Sequence, residues 1–219
     1  MQKKVALIAI IVGIIGIAIG SYSIMYITNN SIMNTASKDI IDLSRAAEPI
    51  GSKNAPITIV EFGDYQCSHC HKWYVDNKPA LKEYIDSGKV SFYFLDFPIL
   101  GEDSYTAAEA TYCAADQGKY WEYHDLLFRS QKIPNDGWAS KANLIQFAYQ
   151  LGLDTAKFKE CLDNDTYKDR VKFNKSVGEK NGVDATPAFL IIKNSDKSIT
   201  KIRGNQPVEA FKLDTLLNE

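Results

Sequence analysis

Two of the four cysteines in this chain, Cys67 and Cys70, bracket Ser68-His69 in the stretch DYQCSHCHKWY. Sulfurs three residues apart share one turn of a helix, where they can hold a metal, staple the backbone or exchange electrons with another thiol. A structural zinc site wants four ligands, with a second pair supplied from elsewhere in the chain. His69 and His71 could add imidazoles to such a site, but no further C-x2-C or H-x3-H occurs, and His124 is the one remaining histidine. No metal is therefore expected.

Thiol exchange fits the surroundings better. Cys67 follows ITIVEF at 57–62, a β-branched and aromatic run that reads as a central strand, and it opens a segment with helical spacing. A sulfur at a helix N-terminus sits near N–H groups that lack intrahelical partners, and negative charge is welcome there. The arrangement predicts an exposed Cys67 thiol and a shielded Cys70. A protonated His69 imidazole between the sulfurs would lower the Cys67 pKa below its ordinary value of about 8.5. Stabilising the thiolate stabilises the dithiol, so the pair is expected to accept electrons and oxidise other thiols. Glu61 places a carboxyl group inside the strand. Beneath the cysteines it could relay the proton of Cys70; the alternative is a solvent-facing edge residue.

The elements that must position these groups follow from pattern. WYVDNKPALKEYIDSG continues the helix with a kink expected at Pro79, and VSFYFLDFP at 90–98 is a second strand. Residues 103–180 show four successive helical segments broken at 133–137, Gly152 and Asn164. PAFLII at 187–192 and SITKIRG at 198–204 form a strand pair, and PVEAFKLDTLLN reads as a closing helix. A small mixed sheet with helices packed on it is the simplest layered solution, an α/β fold.

With 25 basic and 27 acidic side chains and no Lys/Arg run longer than two, the chain carries no nucleic-acid footprint. Val5 to Ile27 is an uncharged, mostly apolar run of 23 residues behind Lys3 and Lys4. About 20 such residues span a bilayer, and the flanking lysines favour keeping the short end in the cytoplasm. A signal peptide cleaved after Gly20 is the rival reading. Either places the domain outside the cytoplasm, where disulfides persist. The expected organisation is an anchor or signal at 1–27, a polar tether at 28–56 with a short helix at Asp39–Ala47, a first sheet part at 57–102, a helical insertion at 103–180 and a second sheet part at 181–219.

DYQCSHCHKW after ITIVEF, AAEATYCAADQGKYWEYHDLLF in the helical block and VDATPAFLI before the last strand pair together resemble the DsbA-type thiol:disulfide oxidoreductases of the thioredoxin-like superfamily. The resemblance covers residues 50–219. It implies a thioredoxin-like fold whose helical insertion lies between the second strand region and a cis-proline loop, with Cys67 attacking substrate, Cys70 resolving and Glu61 as the buried acid. Thr186-Pro187 matches the cis-proline loop, where the Thr186 backbone would pair with a bound extended chain beside Ser68 and His69. Ser68 replaces the proline of the commonest family motif. No cofactor is implied. The implied partners are thiol-containing exported polypeptides and a membrane redox protein, quinone-linked, that recycles the pair. Disulfide reductase or isomerase activity, or a non-redox metal-binding or chaperone-like role, are the alternatives. Cys113 and Cys161 in the insertion admit two readings, small apolar packing or a structural disulfide.

Overall fold

The structure is a computed structural model that describes residues 41–218. Every position of strand β1 (Ile57–Gly63) is buried, so it must lie inside its sheet with both faces covered. The strand order is β2-β1-β3-β4, with β2 at Val90–Asp96, β3 at Ala188–Lys193 and β4 at Ile199–Arg203. β1 runs parallel to β2, with Ile57 opposite Val90, and antiparallel to β3, with Glu61 opposite Phe189. Parallel neighbours need a crossover. Here it is helix α1 (Ser68–Asp76), a 3-10 turn at Lys78–Leu81 and helix α2 (Lys82–Asp86). Pro79 lies in that turn, where the expected kink falls.

Between β2 and β3 the chain builds α3 (Glu102–Ala115), α4 (Tyr120–Ser130), α5 (Lys141–Gln150), α6 (Thr155–Asp163) and α7 (Lys168–Lys180). The inserted helices number five, where spacing alone suggested four segments. The additional break separates α3 from α4, where Gly118 takes a φ of +74° that few other residues tolerate. The closing segment is likewise divided. A 3-10 turn at Val208–Phe211 and helix α8 (Leu213–Asn218) meet at Lys212, whose φ of 52° is left-handed.

Strand alternation splits the β1 side chains between two apolar layers. Ile57 and Ile59 pack with Trp73, Phe92, Phe189 and Phe211. Val60 and Phe62 face the other way, against Leu95, Leu190 and Val177 of α7. Glu61 shares the parity of Ile57 and Ile59 and so points to the layer covered by α1. A third cluster is built by the insertion around Tyr112, Tyr123, Leu127 and Phe158, and it takes in Tyr65, Cys67 and Cys70. The cysteine pair thus sits on the seam between sheet layer and insertion.

The polar tether expected over 28–56 is not a free linker across its described part. Ile50 and Phe92 exchange two backbone hydrogen bonds of 2.9 Å, which makes this segment a short addition to the sheet edge. Trp121 Nε1 donates to the Glu48 carbonyl at 2.8 Å, and the Arg170 guanidinium donates to the carbonyls of Arg45 and Ala46 at 2.8 and 2.9 Å. Residues 41–47 carry only a turn, closed by Ala46 N–H to the Leu43 carbonyl, in place of the expected helix. The apolar run at 5–27 lies outside the described residues. Among the described residues, no helix is long and apolar enough to cross a membrane.

Cys113 on α3 and Cys161 on α6 are joined by a disulfide across a separation of 48 residues. Closing a loop of that length removes about 4 kcal/mol of unfolded-state chain entropy at room temperature. The double variant Cys113→Ala/Cys161→Ala should accordingly lose about 2–4 kcal/mol in urea unfolding while leaving thiol exchange at the Cys67 pair intact. A loss below about 1 kcal/mol would mean that the helices hold this spacing without the bond.

Candidate active site

The turn between β1 and α1 is organised by Asp64, a buried carboxylate in an otherwise apolar setting. Its Oδ1 accepts the Gln66 N–H at 2.8 Å, and its Oδ2 accepts the N–H groups of Ile99 and Leu100 at 2.8 and 3.1 Å. The Asp64 carbonyl takes the Cys67 N–H at 2.9 Å. One short side chain therefore binds the end of β1 to the loop after β2, and Cys67 is delivered to the N-cap of α1 with φ −77° and ψ 118°. No side-chain oxygen caps this helix. The Cys67 sulfur occupies that place, and the backbone N–H groups of His69 and Cys70 stabilise it in its charged form.

The two thiols titrate in opposite directions. Cys67 is lowered to about 6, first by the hydrogen bond from the Cys70 thiol; burial opposes the shift, and the Thr186 hydroxyl and the Cys70 and His69 N–H groups add to it. Cys70 is pushed well above its ordinary value, chiefly by burial and then by the hydrogen bond and charge of Cys67 and the charge of Glu61. The sequence expectation of a thiolate at Cys67 stands, with a different cause. His69 is exposed and contributes its backbone N–H, so the lowering does not need an imidazole between the sulfurs. Cys67 is also less open than expected, at 7% exposure against 0% for Cys70. Ser68, like His69, faces solvent.

The loop ahead of β3 closes over the first sulfur. The Thr186–Pro187 peptide bond is cis, and the Cys67 thiol donates to the Thr186 carbonyl at 3.5 Å. The Thr186 hydroxyl has no other partner. Pro187 is buried beside it and passes its carbonyl to the Gly204 N–H at 2.8 Å, which ties the loop to the end of β4. Cys67, Cys70, Thr186 and Pro187, expected as one constellation, are brought together.

Glu61 is 2% exposed, which removes the edge-residue reading. Its Oε1 has no hydrogen-bond partner, and burial raises its pKa to about 8; Lys78 works against that shift and the Cys67 charge adds to it. Lys78 was not singled out in the sequence. Its ammonium lies 3.0 Å from Asp125 Oδ1 and over the rings of Tyr74 and Trp121, at 4.8 and 5.4 Å, so an apolar cage keeps the charge close to Glu61. His124, the remaining histidine, is fully buried: Nδ1 pairs with the Tyr65 hydroxyl at 2.9 Å, and burial keeps the ring neutral.

A strand-to-helix cysteine pair, a resolving thiol buried under it and a cis-proline loop across the first sulfur define a thioredoxin-like thiol:disulfide oxidoreductase. The family model described as Thioredoxin matches residues 45–209, and the chain belongs to that family. It is 34% identical over 153 residues to the probable disulfide bond formation protein D of Bacillus anthracis, covering 67% of this chain and 70% of that one. Among solved structures it resembles oxidised BdbD from Bacillus subtilis, with a TM-score of 0.72, 25% identity and coverage of 82% and 96% of the two chains. It resembles α-DsbA1 of Wolbachia pipientis to the same TM-score of 0.72, at 27% identity and 82% and 94% coverage.

The raised pKa of Glu61 makes stability depend on pH. The folded protein holds this proton up to about pH 8, whereas an unfolded glutamate releases it near 4.5. The folded state therefore binds more protons between those values, and stability falls as pH rises through them. Glu61→Gln should flatten this slope in the reduced protein. Urea unfolding at pH 5 and pH 8 should show the wild type losing up to about 4 kcal/mol relative to the variant; parallel curves would mean that Glu61 is ionised throughout.

Proposed function

We propose that this protein introduces disulfides into exported polypeptides, with Cys67 as the exchanging sulfur and Cys70 as its resolving partner. The observation that carries the reading is the opposed titration of two thiols in one helical turn, at the seam beneath the cis-proline loop. In the oxidised enzyme, a substrate thiolate attacks Cys67 Sγ, breaking the Cys67–Cys70 bond and leaving Cys70 as the departing sulfur. Cys70 must then take a proton, since burial disfavours its thiolate, and the buried, neutral Glu61, whose charge would be felt at Cys70, is a source the site offers. A second substrate thiolate attacks the substrate sulfur of the mixed disulfide. Cys67 leaves as a stabilised thiolate, the substrate departs with a new disulfide, and two electrons remain on the enzyme as the dithiol.

The direction follows from which state the site stabilises. A Cys67 pKa of about 6 in place of an ordinary value near 8.5–9 favours the reduced enzyme by about 1.4 kcal/mol at pH 7, or roughly 30 mV for two electrons. That increment points towards an oxidant, and the Thr186 hydroxyl and buried Cys70 thiol supply much of it. The exposed Ser68 and His69 and the Thr186 backbone form the surface on which an extended thiol-bearing chain would lie. Residues 5–27 would anchor the domain to the extracytoplasmic face of the membrane, close to export and to a quinone-linked membrane protein that removes the two electrons; secretion after cleavage is the alternative arrangement.

Refolding of reduced ribonuclease tests the activity. The wild type should speed recovery of ribonuclease activity and Cys67→Ser should leave it at the uncatalysed rate, so equal yields would remove Cys67 from the reaction. Equilibration with glutathione tests the direction: a reduction potential nearer to about −120 mV, the value of DsbA itself, than to about −270 mV, that of thioredoxin, supports an oxidase. A potential at the thioredoxin end would reassign the enzyme as a reductase.

A further inference from the structure

The turn that delivers Cys67 is gripped at three consecutive residues by a segment of the helical insertion. Tyr65 and Cys67 both present their carbonyl oxygens to the side-chain amide of Gln131, at 2.6 and 3.1 Å. Gln66, between them and fully buried, is held by Asn135: the Asn135 N–H donates to Gln66 Oε1 at 2.8 Å, and Gln66 Nε2 donates to Asn135 Oδ1 at 3.1 Å and to Ser104 Oγ at 3.0 Å. Asn135 Nδ2 completes the set by donating to the Leu100 carbonyl at 2.8 Å. Gln131 and Asn135 stand on the connection from α4 to α5, outside the sheet layer.

A side-chain NH2 group carries two donor hydrogens, so Gln131 can serve both carbonyls at once. The Cys67 carbonyl also accepts the first intrahelical bond of α1, from the His71 N–H at 3.0 Å. With the carbonyls on either side of Gln66 fixed and the Gln66 side chain itself locked, the peptide planes of residues 65–67 have little freedom to rotate. Those planes set the ψ of 118° at Cys67, and that angle sets where Sγ lies relative to the N–H groups of His69 and Cys70. Hydrogen bonds to a charged acceptor are strong only while aligned.

We propose that Gln131 is a positioning residue for thiol exchange: by gripping the Tyr65 and Cys67 carbonyls, it holds Cys67 Sγ over the first N–H groups of α1. The inference rests on Cys67 being the exchanging sulfur, as proposed above. It makes the helical insertion a determinant of thiol reactivity as well as a cover for the sheet. Lys132, Ile133 and Pro134, which link the two gripping residues, are exposed.

The test follows Cys67 titration through its alkylation rate against pH, in wild type, Gln131→Met and Asn143→Ala. Met keeps the length and apolar stem of Gln131 but has no donor. Asn143→Ala removes the 2.9 Å bond from Asn143 Nδ2, on α5, to the Gly137 carbonyl, which lies in the same connection but away from the redox turn. Gln131→Met should raise the Cys67 midpoint by about one unit, so that alkylation at pH 5 slows about tenfold. Asn143→Ala should leave the midpoint unchanged at a comparable shift in the urea transition. A Gln131→Met midpoint equal to a low wild-type midpoint overturns the inference and leaves the exchange reading standing, as does an equal shift in both variants. An ordinary wild-type midpoint near 8.5 overturns both. If circular dichroism shows Gln131→Met to be partly unfolded, Gln131→Asn is read by the same criterion, since it keeps a polar side chain but is one methylene too short to serve both the Tyr65 and Cys67 carbonyls.

Discussion

The structure depends on one sulfur lying where a helix N-cap oxygen ordinarily lies. Cys67 caps α1 with its own side chain, and everything around it makes that substitution tolerable when the sulfur is charged: two backbone N–H groups, the Cys70 thiol below and the Thr186 hydroxyl across the seam. A thiolate is a larger and weaker acceptor than a carboxylate or hydroxyl oxygen. Its stabilisation by several imperfect donors, rather than by one strong one, leaves it reactive. Burial works the other way and keeps the pKa from falling further.

The same constraint explains why the neighbouring buried groups are left incompletely satisfied. Glu61 Oε1 lacks a protein partner, and the Thr186 hydroxyl has none besides the Cys67 sulfur, although both are buried, a state that ordinarily costs about 1–3 kcal/mol for an unsatisfied group. Both border the cysteine pair. Full satisfaction would fix a neutral Glu61 proton elsewhere and turn the Thr186 hydroxyl away from the sulfur. The cation that moderates Glu61 is itself confined by Asp125 and aromatic rings, so the acid is kept neutral without being isolated from charge.

Much of this could be read from the chain because local pattern and site coincide. The β-branched run ahead of Cys67, the helical spacing behind it and the C-x2-C pair are contiguous, and a contiguous motif reveals both its element and its chemistry. Glu61 was visible for the same reason, a carboxyl group within an otherwise apolar strand. What escaped was long-range. Lys78 looks like any surface lysine until Asp125 and Trp121 arrive from α4. Gln131 sits after a helix, in a polar stretch whose composition says only that it is a connection, and its role exists because two carbonyls 64 and 66 residues earlier in the chain point at it. Backbone carbonyls leave no trace in a sequence pattern. The docking of residues 41–56 was hidden likewise, since its bonds use backbone groups on one side. At His69 the sequence points to the imidazole, whereas the structure leaves that side chain exposed and lowers Cys67 first through the Cys70 thiol, the His69 backbone N–H adding to it.

The division of labour between the two layers follows from these contacts. The sheet layer supplies the buried side of the site, with Glu61 below and the Thr186–Pro187 loop across, because strands fix side chains at a pitch that a four-stranded sheet holds rigidly. The insertion supplies the open side. The Cys113–Cys161 bond joins α3 to α6 within it, and its apolar cluster takes in Tyr65, Cys67 and Cys70 directly, so it bears on the redox turn as packed helices and not as a loop that must be ordered by substrate. A rigid helical body bearing on the turn through hydrogen bonds of ordinary strength can shift by a fraction of an ångström without unfolding. At a cap whose acceptor is a sulfur held by several donors, such a shift changes thiolate stability more readily than it changes the fold.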